Sequence, residues 1–192
     1  MSMRLQALVA SCASLALIAS TVDAAPASAG DNAAAPSETT RASLPEPPQR
    51  ERDFVQIIQD ARTEMRTTRA SYKDIRLQMQ MRVQTFYETS HEFEGWIGSV
   101  NATRVLDKGD MWISIKIADG ISVSTSPSHA DDPEYQTLIR GGSKLANVAA
   151  KLVIGQKVSF SATLLRFVGD SDEDMIKTPR LLVHFNRLEP LN

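Results

Sequence analysis

The side chains best suited to binding chemistry lie on two runs of alternating residues: Trp112, Lys116, Ser122 and Ser124 on the first, Ser159, Ser161 and Thr163 on the second. An indole can stack on a sugar, a base or a peptide, an ammonium can pair with an acidic group, and hydroxyls can both donate and accept. Such a set suits recognition rather than bond breaking. The residues that could break bonds show no working arrangement. His91, His129 and His184 are scattered, and the chain has no HExxH, no nucleophile elbow and no phosphate-binding glycine loop. We therefore expect no catalytic residue and no cofactor.

Asp170, Asp172 and Asp174 echo the start of a calcium loop. Met175 stands where that loop needs glycine for its bend, however, and Leu181 stands where it needs a bidentate glutamate. The stretch reads instead as a solvated acidic hairpin tip, with no metal site. Nucleic acid is a poor match as well. The formal charge is -2 and the isoelectric point about 5.9, basic and acidic residues nearly balance from Glu94 onward, and the strands carry no series of aromatics along a basic groove.

The elements that must position the polar set are five short strands, 96–105, 111–119, 121–126, 157–167 and 180–188, with a helix between the third and fourth. Met111, Ile113, Ile115 and Ile117 alternate with Trp112, Ser114, Lys116 and Ala118, the period of a strand with one buried face. Asp119-Gly120 is a dipeptide favoured in tight hairpins, and Ile121, Val123 and Thr125 continue the inward rhythm. Val158, Phe160, Ala162 and Leu164 repeat it, then Leu181, Val183 and Phe185. Ser143 is placed to cap a helix through Leu152, whose Leu145, Val148 and Leu152 would stopper the barrel. This order predicts a mainly β fold with α elements, a five-stranded OB-like barrel (β-β-β-α-β-β) over residues 93–192.

The run TLIRGGSKL, an apolar helix, then GQKVSFSATL resembles a family of small exported bacterial proteins with an OB-like domain. The likeness covers roughly the last half of the chain, implies fold and export, and implies no particular reaction. The outer face departs from base-binding relatives of that fold, since it carries Trp112 where a richer aromatic set is expected.

Ahead of the barrel, residues 50–92 read as an amphipathic helix. From Arg50 to Tyr87 there is no glycine or proline, and Phe54, Ile58, Ala61, Met65, Thr68, Tyr72, Ile75 and Met79 recur at steps of four and three. Such a stripe can pack on its own barrel, fold back as a hairpin near Thr67–Ser71, or form a coiled coil that makes a homodimer through residues 50–87. Asp60, Glu64, Arg62, Arg66 and Arg69 read as its solvated face.

Residues 1–24 have Arg4, an apolar run from Leu5 to Ile18, and small residues at Val22 and Ala24, the pattern of a secretory signal peptide. Ala27 and Ala29 offer a second cleavage position, and Val9-Ala10-Ser11-Cys12 a lipid-anchoring alternative. The apolar run is too short to span a bilayer. Cys12 is the sole cysteine, so leader removal leaves no thiol for disulfides, thiolate metal sites or nucleophilic catalysis. Residues 25–49 are rich in Ala, Pro and Ser and read as a disordered linker. The expectation is a non-catalytic periplasmic or secreted binding or assembly module whose partner is a protein or a small or oligomeric ligand. Two alternatives are a carrier or hydrolase using the Trp112/Lys116 face and a helix-mediated homo-oligomeric envelope scaffold.

Overall fold

The computed structural model of the chain describes residues 44–126 and 137–191. The leader, Cys12, both cleavage positions, most of the linker and His129 lie outside the described residues. Five strands, β1 (Glu92–Val105), β2 (Met111–Ala118), β3 (Ile121–Ser124), β4 (Lys157–Val168) and β5 (Arg180–Pro190), close into a barrel in the order β1-β2-β3-β5-β4. β3 and β5 run parallel and the other four pairs are antiparallel, the arrangement of an OB-like barrel.

The alternating residues do what their period requires. Met111, Ile113, Ile115, Ile121, Val123, Val158, Phe160, Leu181 and Val183 are all buried. At the tight turn between β2 and β3, Gly120 has φ +64°, and a Cβ there would meet the Lys177 carbonyl at 2.8 Å and the Arg62 guanidinium at 2.9 Å. No side chain fits that corner. Below the barrel, α3 (Lys144–Ala149) begins at Ser143, whose hydroxyl accepts from the Ala146 amide at 3.0 Å. It buries Ala146 and Ala149, with Leu152 just beyond, while Leu145 and Val148 pack half-buried against the same core.

The residues ahead of the barrel form two helices rather than one. α1 (Gln49–Thr67) stops at Thr68 and α2 (Tyr72–Glu88) starts afresh. The Thr63 and Thr67 hydroxyls bond back to carbonyls one turn earlier, which weakens the helix end. Ser71 then caps the new helix by accepting from the Asp74 amide at 3.2 Å. Folding back buries Phe54, Ile58 and Ala61 from α1 together with Ile75, Met79 and Val83 from α2. Most of the stripe that would have made a coiled-coil seam is spent inside the fold. Thr68 and Tyr72, which fell on the same register, are exposed.

All six phenylalanines join Tyr87 and Trp96 in one aromatic cluster that welds the hairpin to the barrel. Phe54 is its hub, touching Phe86, Tyr87, Phe93, Trp96 and Phe167 at centroid distances of 5.4–6.3 Å. Phe93 and Trp96 stack at 3.9 Å.

The acidic stretch after β4 is not an open hairpin tip but a short helix, α4 (Asp172–Lys177), capped by Ser171 on the Asp174 amide. Its carboxylates are engaged in structure. Asp172 pairs with Arg76 of α2 at 2.5 Å, Glu173 with Lys177, and Asp170 with Arg180 at 3.7 Å.

Candidate binding surfaces

The polar residues singled out from the sequence do not form one face. Lys116 on β2 and Ser122 on β3 are directly opposite each other. They share a polar groove of about 440 Å3 with Asn101, Asp170, Asp174, Thr178 and Arg180. Both of its cations are engaged: Lys116 holds Asp119 at 2.9 Å and Arg180 faces Asp170 at 3.7 Å. Trp112 is half-buried opposite Arg104 of β1 and does not line this groove. Ser124 is buried opposite Ser114, so its hydroxyl is not presented outward.

Ser159 and Ser161 stand on β4, which pairs with β1 and β5 and with neither β2 nor β3. Ser159 is opposite Ile97 and Glu189, and the Ser161 hydroxyl accepts from the Gly95 amide at 3.3 Å. Thr163 accepts from the Asn186 side chain at 3.1 Å. The separation follows from closure. A Greek-key barrel inserts β1 on one side and β5 on the other between segments that an alternating pattern alone cannot distinguish.

A larger groove, about 900 Å3, runs between α2 and the second half of β4. Leu77, Met81 and Val83 supply the helical wall and Leu164, Leu165 and Phe167 the strand wall, with Glu88 and His91 at one end. Leu77 is 41% exposed and Met81 62%, unusual for large apolar side chains on a helix that already buries Ile75 and Met79. Tyr87 lies beneath, its ring parallel to that of His91 at 6.2 Å. Burial pushes the Tyr87 hydroxyl well above its usual range, so it stays protonated. The sequence conceals this wall, because Leu77 and Met81 sit beside the stronger helical stripe at Ile75 and Met79. That i, i+4 pair was the available signal.

The most perturbed carboxyl is structural. Glu51 of α1 is 1% exposed and accepts the Ile97 amide of β1 at 2.7 Å. The neighbouring bulge between Phe93 and Trp96, where Gly95 takes φ +63°, shifts the register of β1 against β4. Burial raises the Glu51 pKa from 4.5 to about 7, opposed by the Ile97 bond and by Lys157 and Arg52. A carboxyl so enclosed pins a helix to a strand and has no access to a substrate.

Among the described residues no group of three His, Cys, Asp or Glu side chains is arranged to hold a metal ion. No helix of the described residues is long and apolar enough to cross a membrane. No family model, curated protein or solved structure matches this chain.

Proposed function

We propose that the protein is a non-catalytic binding or assembly module of the bacterial cell envelope, exported by its leader, that holds a partner in the groove between α2 and β4. The observation that carries this is the pair Leu77 and Met81, exposed on a helix that buries Ile75, Met79 and Val83, facing Leu165 and Phe167 across an open channel. An uncovered apolar channel of this kind is costly in water and marks an interaction site more often than an accident of packing. The leader pattern and the resemblance to small exported bacterial proteins support the location.

The test is affinity capture from envelope extracts with the wild-type chain and with Met81→Glu. A partner retained by wild type and lost by the variant is the expected result. Identical captures would sink the assignment to this groove. A second reading, a carrier of a small polar ligand, is favoured by one observation: Lys116 and Ser122 meet in the polar groove beside the β4–β5 connection, where OB-folds commonly take ligands. Lys116→Ala would abolish such binding and leave capture through Met81 intact.

A further inference from the structure

The strand wall of the apolar groove has an unusual property. β1 pairs with β4 only as far as Glu92 opposite Thr163, and the contact closes with the Leu164 amide bonded to the His91 carbonyl at 3.0 Å. β5 continues alongside β4 to Arg180 opposite Val168. After a register shift at Leu165, β4 from Arg166 to Val168 therefore has a strand neighbour on one side only among the described residues. Leu165, Arg166 and Phe167 line the groove at this edge, with Leu77 and Met81 of α2 across from them.

A strand edge presents main-chain donors and acceptors in a row, and another extended chain is the partner that matches such a row. We infer that the groove takes an extended, uncharged, apolar segment of another polypeptide, added as a strand along β4 with alternate side chains against α2. This rests on the reading of the groove as a binding surface. Charge supports the choice of segment: among the described residues the lining holds one carboxylate, Glu88, at the groove's end, and one guanidinium, Arg166, which is already engaged, so the complementary chain is neutral.

The chain's own outlying segment is the obvious competitor. α1 begins beside the groove's Glu88 and His91 end, since Arg50 donates to the Phe86 carbonyl at 3.1 Å and the Ser90 carbonyl at 2.6 Å. Residues 25–43 lead into that point, and at about 3.3 Å per extended residue they are long enough to reach along β4. They carry no apolar side chain larger than proline, however, and Pro26 and Pro36 cannot donate to a ladder. The segment has the reach without the side chains, which leaves the place to a different polypeptide.

The test titrates the full chain with a fluorescent, capped Thr-Val-Thr-Val-Thr-Val-Thr peptide. Parallel arms use the same peptide N-methylated along one edge or the other, a capped Ala/Leu helical peptide, and decanoate. The expected result is saturable binding of the strand peptide, weakened at least tenfold by methylation of one edge and little by the other, and weakened similarly by Met81→Glu. Retained binding that ignores methylation, or stronger binding of the helix or of decanoate, would overturn strand addition while leaving the groove as a binding surface. No binding by any probe would overturn the strand inference, and the envelope capture would then judge the groove separately. A dimer that Met81→Glu dissolves would assign the edge to a second copy and overturn the inference as well. Circular dichroism of Met81→Glu confirms that the variant is folded, and Leu77→Gln provides an independent variant on the same wall.

Discussion

α1 and α2 are similar in length and in their mix of Gln, Arg and apolar residues, yet they are used in opposite ways. α1 is fastened at both ends. Arg50 reaches the carbonyls of Phe86 and Ser90 at the end of α2, and Arg62 reaches those of Asp119, Ile176 and Lys177 at the far side of the barrel. Glu51 adds the bond to β1, and Phe54 fills the aromatic hub. α2 is fastened on one side by Ile75, Met79, Val83 and the Arg76–Asp172 pair, and it leaves Leu77 and Met81 over a channel. The contrast separates a helix that anchors from a helix that displays. Substitutions on α1 should cost stability, whereas those on the open face of α2 should cost binding.

The largest effect should come from Phe54→Ala. Removing the hub leaves a cavity among five rings that belong to α2, β1 and β4 and cannot close over it together. A loss of about 3–5 kcal/mol in urea unfolding is expected. A loss below about 1 kcal/mol would mean that α1 is not anchored through this ring, and the contrast with α2 would fail.

Glu51→Gln should be next, and its sign depends on pH. The folded protein holds the Glu51 proton up to about pH 7 whereas an unfolded carboxyl releases it near 4.5. Glu51 thus favours folding most below pH 4.5, and that contribution declines as pH rises to 7, then stays constant. Glutamine keeps an acceptor for Ile97 without a charge to desolvate. At pH 8 the variant should therefore be the more stable by up to about 3 kcal/mol, with the advantage vanishing at pH 4. Parallel stability curves for the two proteins across that range would rule out a buried, titrating Glu51.

How much of this was legible beforehand differs between strands and helices. Period-two alternation at Met111 to Ile117 and at Val158 to Leu164 located the strands, and Asp119-Gly120 and Ser143 located a turn and a cap, because these signals are local. Which strands become neighbours is not local. Ser159 and Ser161 look equivalent to Ser122 in one dimension, and only closure through β1 and β5 moves them to another part of the barrel. The helical stripe was readable but its partner was not, since the same residues suit a neighbouring chain or their own barrel. Arg62 shows the same ambiguity. It reads as a surface charge on a polar face, and its three carbonyl partners come from segments 57, 114 and 115 residues away.

Arg62→Met tests the anchoring of α1 at that distant end with a smaller expected effect. Methionine retains the packing of the aliphatic stem and gives up the three bonds to Asp119, Ile176 and Lys177. Because these carbonyls sit near the surface, water can replace much of what is lost, so a cost of about 1–2 kcal/mol is expected. Hydrogen exchange should quicken at the β2–β3 turn and at the end of α4 and stay unchanged at Phe93 and Trp96. Uniform quickening would show that Arg62 acts on the whole fold instead of on one fastening.

The smallest expected change in stability belongs to Met81→Glu, and that is what makes it decisive for the comparison. Met81 is 62% exposed and sits mid-helix, and glutamate is about as good a helix former, so the substitution neither buries a charge nor weakens α2. Unfolding free energy should change by less than about 0.5 kcal/mol, as for other surface replacements. The same carboxylate would stand opposite Leu165 and Phe167, where an apolar segment could enter only by desolvating it. Binding in the groove should therefore fall at least tenfold while the melting curve stays in place. If instead the melting temperature drops with the affinity, Met81 is part of the fold's own packing, and α2 anchors on both its faces just as α1 does.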